Sequence, residues 1–328
     1  MNDVVGNSVV TIDSVQPKLT SLRDSIGRIL IGQDKVIDQV LIALFANGHV
    51  LIEGVPGLGK TLLVRTLAAC FNGNFKRIQF TPDLMPADVT GHTIFNMKDG
   101  DFRFRKGPVF TNLLLADEIN RSPAKTQAAL LEVMQEKQVT VSGVARELPK
   151  PFMVLATQNP IEQEGTYPLP EAELDRFLMK IFIDFPSYED EVTLTRLVCN
   201  ANMDDPLLNA NIVPLFSELD IVQIQQLMTQ IVVDEQIINY SVRLVRATRE
   251  SAAIVQGAGP RASIGLVRCA RARAMLSGRN FVLPDDIKAV ALPVMRHRIS
   301  LSADVEIDGL TTDHVLTKIV QSVEAPRQ

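Results

Sequence analysis

The chain predicts an α/β fold, a parallel sheet flanked by helices followed by an all-α unit, on three observations. Between His49 and about Phe185, short β-rich runs alternate with helical patterns, the arrangement that builds parallel sheets. The turn Gly54-Val55-Pro56-Gly57-Leu58-Gly59-Lys60-Thr61 joins an apolar run to a helix-like stretch. After Pro186 the β-branched alternation stops and long 3.6-period stretches take over.

Taken in order, residues 17–30 and 33–46 read as two amphipathic helices broken at Ile31-Gly32-Gln33. Residues 49–53 form the first strand, and residues 75–80, 112–116, 152–157 and 178–183 the others. Two hairpins interrupt the alternation. One spans 91–107 around the turn Lys98-Asp99-Gly100-Asp101; the other joins 138–141 to 145–148 through Ser142-Gly143. Each is read either as a functional projection or as mere connection. Helices are expected over 221–231, 236–255, 261–276 and 284–298. The domain boundary is set at 186/187.

Composition bounds the class. The chain has 328 residues, 46% of them hydrophobic, and a net charge of −5, which suits a globular protein with no global pull toward nucleic acid. No stretch approaches a membrane span, and Met1 to Val10 lack the basic cluster of a signal peptide, so a cytoplasmic protein is expected. Cys70, Cys199 and Cys269 lie far apart in apolar helical patterns and read as buried free thiols.

Residues 54–61 match G-x-x-x-x-G-K-[ST] in full. In that setting the glycines let backbone N–H groups turn toward phosphates, Lys60 reaches the β/γ-phosphates, and the Thr61 hydroxyl is placed to ligate Mg²⁺. Leu62 continues the loop into its helix. Leu113-Leu114-Leu115-Ala116 ends in Asp117-Glu118; Asp117 is assigned to Mg²⁺ through water, and Glu118 to accepting a proton from attacking water. Asn159, at the end of the next strand, falls on the same edge, where it orients water, starts a turn with Pro160, or does both.

These residues resemble the AAA+ ATPases and, within them, the MoxR group. The resemblance rests on Gly54 to Thr61, Leu115 to Asn120, Ala156 to Pro160, the run Leu-Pro-Glu-Ala-Glu-Leu-Asp-Arg-Phe ending at Phe177, and Gly259-Pro260-Arg261-Ala262. It covers the chain from about Leu30 to the end. Phe80 to Asp88 with the hairpin that follows resembles the insert of the clade shared with magnesium-chelatase ATPase subunits. The resemblance implies an AAA+ P-loop core with a C-terminal helical lid, and ATP and Mg²⁺ as cofactors. It implies that Asn159 is sensor 1, and that Arg176 is an arginine finger reaching a neighbouring subunit's nucleotide. It further implies that Arg261 is a sensor 2 projecting from the helical lid onto the same nucleotide, and that Ile31, Gly32 and Gln33 border the adenine. Implied partners are further copies, forming a hexameric ring, and a von Willebrand factor A domain protein.

Between Ser241 and Arg298 eleven Lys or Arg face three Asp or Glu. Phe281 alone is aromatic among the nucleic-acid-stacking types there, so contact with the triphosphate and a neighbouring subunit is preferred to nucleic acid. The expected function is Mg²⁺-dependent ATP hydrolysis that remodels or activates a partner complex. The alternative is a motor subunit of a metal-chelatase-like or nucleic-acid-remodelling complex.

Overall fold

The computed structural model describes residues 11–55, 57–98, 100–159, 166–200 and 212–326. Met1 to Val10, Pro56, Asp99 and Pro160, which carry parts of the expectations above, lie outside them. The central sheet joins β1 (Val50–Glu53), β2 (Phe75–Gln79), β5 (Leu113–Asp117), β8 (Met153–Gln158) and β9 (Met179–Phe182). Its order is β2-β5-β8-β1-β9, with every pairing parallel. The near-continuous apolar runs explain this: Leu113, Leu114, Leu115 and Ala116 are completely buried, as strands covered on both faces require. All five expected strands of this sheet are present within a residue or so of their expected bounds.

Helices cover both faces. On one side lie Ile12–Gly27, Asp34–Phe45 and Lys60–Cys70; on the other, Pro86–Thr90 and Ala124–Glu136. The first helix begins five residues ahead of the expected Pro17, because Thr11 and Ser14 cap each other's backbone N–H groups. Proline therefore stands inside this helix rather than at its start.

Both hairpins form: β3 (Gly91–Asn96) with β4 (Asp101–Lys106), and β6 (Gln138–Val141) with β7 (Val144–Glu147). Ser142 and Gly143 take the positive φ of 52° and 76° that a tight two-residue turn needs. The Thr93 and Ser142 hydroxyls lie 3.1 Å apart and the Arg146 guanidinium stands 4.3 Å from the Phe104 ring centroid, so the hairpins are fastened side by side.

The C-terminal unit contains Glu218–Thr229, Glu235–Glu250, Pro260–Leu276, Pro284–Met295, Ala303–Ile307 and Thr312–Ser322. It is not purely helical. The stretch expected to be helical to Val255 stops at Glu250, and β10 (Ile254–Gln256) pairs antiparallel with β11 (Ser300–Leu301). The apolar cluster is continuous across the expected boundary, running from Leu41 and Leu67 to Leu244, Leu266 and Val294. Polar stitches add to it: the Cys70 carbonyl accepts N–H bonds from Leu215 (2.8 Å) and Phe216 (3.3 Å), and the Gln16 amide donates to the Leu276 carbonyl at 3.0 Å.

Cys70 and Cys269 are buried, and burial pushes each thiol up to about 12. Cys199 corrects the expectation. It is exposed, because helix Tyr188–Asn200 presents most of its described residues to solvent.

Candidate active site

At the carboxyl edge of the sheet, β1, β5 and β8 end side by side. Gly54 leaves β1 so close to the exit of β9 that a Cβ there would stand 2.3 Å from Ile183 Cγ2, so this position requires glycine. Gly57 and Gly59 take φ of 87° and 78°, and nothing lies within 4 Å of a Cβ on either. The loop therefore encloses an open backbone cradle ahead of helix Lys60–Cys70.

The Lys60 ammonium donates to the Gly54 carbonyl. Burial lowers its pKa, and Asp117, Glu118 and Glu53 pull in the opposite direction. Glu53 is itself held by Lys180 at 2.8 Å and by the Gln158 amide.

The two carboxylates on β5 form a linked set. The Thr157 hydroxyl donates to Asp117 Oδ1 at 2.5 Å and accepts the Glu118 N–H at 2.9 Å. Arg77 sits on Asp117 Oδ2, with Nη2 at 2.6 Å and Nε at 3.1 Å. Glu118 has φ 55° and ψ 50°, a left-handed conformation that turns it out of the strand line at a cost of order 1 kcal/mol. Its Oε2 accepts from Gln79 Nε2 at 2.7 Å and from Arg121 Nη1 at 2.9 Å. Asn159, buried, follows Thr157 and Gln158 at the same edge.

Gln33 is buried and donates to the Asp184 carbonyl at 2.9 Å, fixing Ile31, Gly32 and Gln33 beside the chain that leaves β9. A Cβ on Gly32 would stand 2.8 Å from Asp190 Oδ2, which closes that side of the cleft.

The arginines lie elsewhere. Arg176 and Arg261 line a recess of about 270 Å³ with Asn47, Gly48, His49, Lys137 and Arg268. Gly48 and His49 precede β1, so this recess lies beyond the amino edge of the sheet, across four residues, roughly 10 Å, from the phosphate loop. Arg176 makes no side-chain hydrogen bond or ion pair with a described residue. Arg261 Nη1 is 3.3 Å from Asp175 Oδ2. Arg261 thus shares the amino-edge recess with Arg176: helix Pro260–Leu276 begins there, tied by Arg268 to the Ala46 and Asn47 carbonyls.

Several arginines of the basic segment are held within the chain. Arg298, nearly inaccessible, holds Asp175 at 2.7 Å and the Phe177 carbonyl at 2.6 Å. Arg296 holds Asp313 at 2.8 Å, Arg273 and Arg279 share Asp286, and Arg249 donates to the Ala258 carbonyl. Of the eleven basic residues only the Arg296 and Arg298 side chains are buried, while Arg243, Arg246, Arg249, Arg261 and Lys288 stay exposed. Burial lowers the pKa of both Arg296 and Arg298, and their acidic partners counter it.

Sequence reasoning missed Arg77, Gln79 and Arg121. The available signals were the period-2 spacing of Arg77 and Gln79 on a strand beside the carboxylates, and the i, i+3 spacing of Arg121 from Glu118.

The donor set fits a magnesium nucleotide. Hydroxyl and carboxylate oxygens on Thr61 and Asp117 are hard ligands, and the open cradle is lined by backbone. Among the described residues no helix is long and apolar enough to cross a membrane.

Known proteins agree with this geometry. Residues 49–179 match the profile of the ATPase family associated with various cellular activities (AAA), and residues 246–319 that of the AAA lid domain. Chaperone MoxR1 of Mycobacterium tuberculosis is 42% identical over 309 residues, 92% of this chain and 80% of that one. Protein MoxR of Methylorubrum extorquens is 32% identical over 94% of this chain and 97% of its own. A crystal structure from Cytophaga hutchinsonii, of a protein described by inference as an ATPase, superposes with a TM-score of 0.89 at 43% identity, covering 96% of this chain and 97% of that one. With an AAA domain followed by an AAA lid, and relatives of 42% and 32% identity over more than nine-tenths of its length, the chain belongs to the MoxR family of AAA+ ATPases.

Proposed function

We propose that the protein hydrolyses ATP with Mg²⁺ and couples hydrolysis to remodelling or activating a partner protein. The observation that carries this reading is the separation of the site into two halves: carboxylates and phosphate loop at one edge of the sheet, and at the other Arg176, which has no side-chain partner among the described residues. Neither half is complete for phosphoryl transfer without an arginine beside the γ-phosphate.

In the cleft, Lys60 and the loop N–H groups bind the β- and γ-phosphates, while Ile31, Gly32 and Gln33 border the base. Glu118 accepts the proton of the attacking water, and Asn159 orients that water. Mg²⁺, held by Thr61 and through water by Asp117, would neutralise charge on the phosphates. Arg176 is supplied by the neighbouring copy, which requires a closed ring, a hexamer in this reading. Arg261 sits in the same recess and faces the same neighbour.

Residues 1–186 serve as the nucleotide-binding domain and 187–328 as the lid. The partner is a von Willebrand factor A domain protein, and the location is cytoplasmic. Chaperone is the printed name of one relative and supports this class over a chelatase motor.

Mixing Arg176→Ala with Lys60→Ala protein tests the split site. Each alone is inactive, and mixed rings recover hydrolysis because an intact pocket meets an intact finger. Mixed rings, verified by mass, that stay inactive would exclude Arg176 acting across the interface.

A further inference from the structure

Thr157 is buried near the end of β8, one residue past Ala116 and Ala156, the last pair of the β5–β8 ladder. Backbone pairing from Leu113 with Met153 onward already joins these strands, and Thr157 itself stands opposite Ile52 of β1. The sheet is therefore closed without the hydroxyl. Burying a hydroxyl costs free energy unless it is bonded, and valine suits a strand position equally well. The oxygen must be explained by what it bonds.

Its bonds have a fixed polarity. A backbone N–H can only donate, so the bond from the Glu118 N–H, at 2.9 Å, uses a lone pair of Thr157 Oγ1 and leaves the hydroxyl proton free. That proton goes to Asp117 Oδ1 at 2.5 Å, the short range of a hydroxyl on a charged oxygen. Arg77 holds the other oxygen, with Nη2 2.6 Å from Asp117 Oδ2. Pinned through both oxygens, this carboxylate keeps one orientation and still has lone pairs to offer.

Glu118 is held differently. Gln79 and Arg121 bond to its carboxylate, whereas Thr157 bonds to its backbone at the left-handed turn, φ 55°. Removing the hydroxyl would free Asp117 Oδ1 outright and only loosen Glu118.

We propose that Thr157 is a positioning residue that sets how tightly the site takes Mg²⁺ with nucleotide, and that the same oxygen keeps Glu118 at its turn. The inference rests on the reading of Asp117 as the residue that holds the metal through water. Neither partner of the hydroxyl belongs to the phosphate loop, so binding of nucleotide without metal does not depend on it.

The test needs no turnover. A fluorescent ADP analogue is bound to the full chain in EDTA, and Mg²⁺ is then titrated. Thr157→Val should leave the affinity in EDTA unchanged and raise the half-saturating Mg²⁺ about tenfold, the effect of losing one hydrogen bond to a charged group. Thr157→Ser keeps the hydroxyl and loses a buried methyl, so it should melt at a lower temperature yet stay within about twofold of wild type in Mg²⁺. If the valine protein does not fold, Thr157→Ala against Thr157→Ser repeats the comparison with the methyl lost from both. Single-turnover hydrolysis by Thr157→Val at saturating Mg²⁺ should remain about threefold slow, from the loosened Glu118.

Wild-type protein that responds to Mg²⁺, with Thr157→Val titrating alike or Thr157→Ser shifted as far as Thr157→Val, would overturn this inference and leave the reading of the site standing. Wild-type nucleotide binding that ignores Mg²⁺ would overturn that reading, and the inference with it. Full recovery of the Thr157→Val rate at saturating Mg²⁺ would overturn the part concerning Glu118.

Discussion

The two edges of one sheet treat charge in opposite ways. At the carboxyl edge, Arg77, Gln79, Thr157, Asp117 and Glu118 bond to one another through side chains, and a left-handed Glu118 is held in place by them. At the amino edge, Arg268 and Arg298 donate to backbone carbonyls, Arg298 also to Asp175, and Arg176 follows that aspartate with no side-chain partner among the described residues. A side-chain network can rearrange during a reaction cycle; arginines anchored on carbonyls are part of the fold. The density of positive charge in a sequence is therefore a poor guide to where a phosphate goes.

The largest effect expected from this contrast is at Glu118. Glu118→Gln should retain ATP binding and lose about 10³-fold in turnover, since the amide keeps the shape and removes the base. Single-turnover hydrolysis beside a fluorescent-nucleotide titration checks it, and near-normal turnover would move the base elsewhere.

The amino edge can be broken at two neighbouring contacts with opposite results. Arg298→Ala leaves the Phe177 and Leu178 carbonyls without this donor and half-buried Asp175 with Arg261 alone, and should cost about 1–3 kcal/mol of stability. Arg176→Ala should change stability by less than about 0.5 kcal/mol while removing hydrolysis. Melting curves of the two proteins side by side decide this, and equal destabilisation would make Arg176 a structural residue.

Acid should act on the amino edge through His49. Its Nδ1 accepts the Val154 N–H at 3.0 Å and its Nε2 lies 3.1 Å from the Met134 carbonyl, an arrangement that needs the neutral ring. Burial lowers its pKa to about 4 from the usual 6.5. Between those values the unfolded chain binds a proton that the folded chain excludes, so stability is full above pH 6.5 and falls as pH drops toward 4. The loss amounts to ~3 kcal/mol. In His49→Gln, denaturant midpoints across that range should flatten by this amount.

Much of the carboxyl edge was legible in the sequence because it is local. Residues 54–61 and Asp117-Glu118 are short motifs whose chemistry depends on neighbours along the chain, and apolar runs such as Leu113 to Ala116 declare a buried strand. What escaped was long-range. Arg77 and Gln79 become partners of Asp117 and Glu118 only through the β2–β5 register, Gln79 opposite Asp117. Thr11 hid the start of the first helix because Pro17, a stronger punctuation mark, stood six residues later. Cys199 reads as buried on helical periodicity alone, yet its helix lies at the surface.

Helix Lys60–Cys70 begins at the phosphate loop and ends at the carbonyl that holds Leu215 and Phe216. Eleven residues make a rod of roughly 16 Å. An α-helix resists compression along its axis, so a push on Lys60 and Thr61 arrives at the first residues of the C-terminal unit almost undiminished. Under the proposed function, phosphate arriving at or leaving this loop would be felt at Leu215 and Phe216 through one helix.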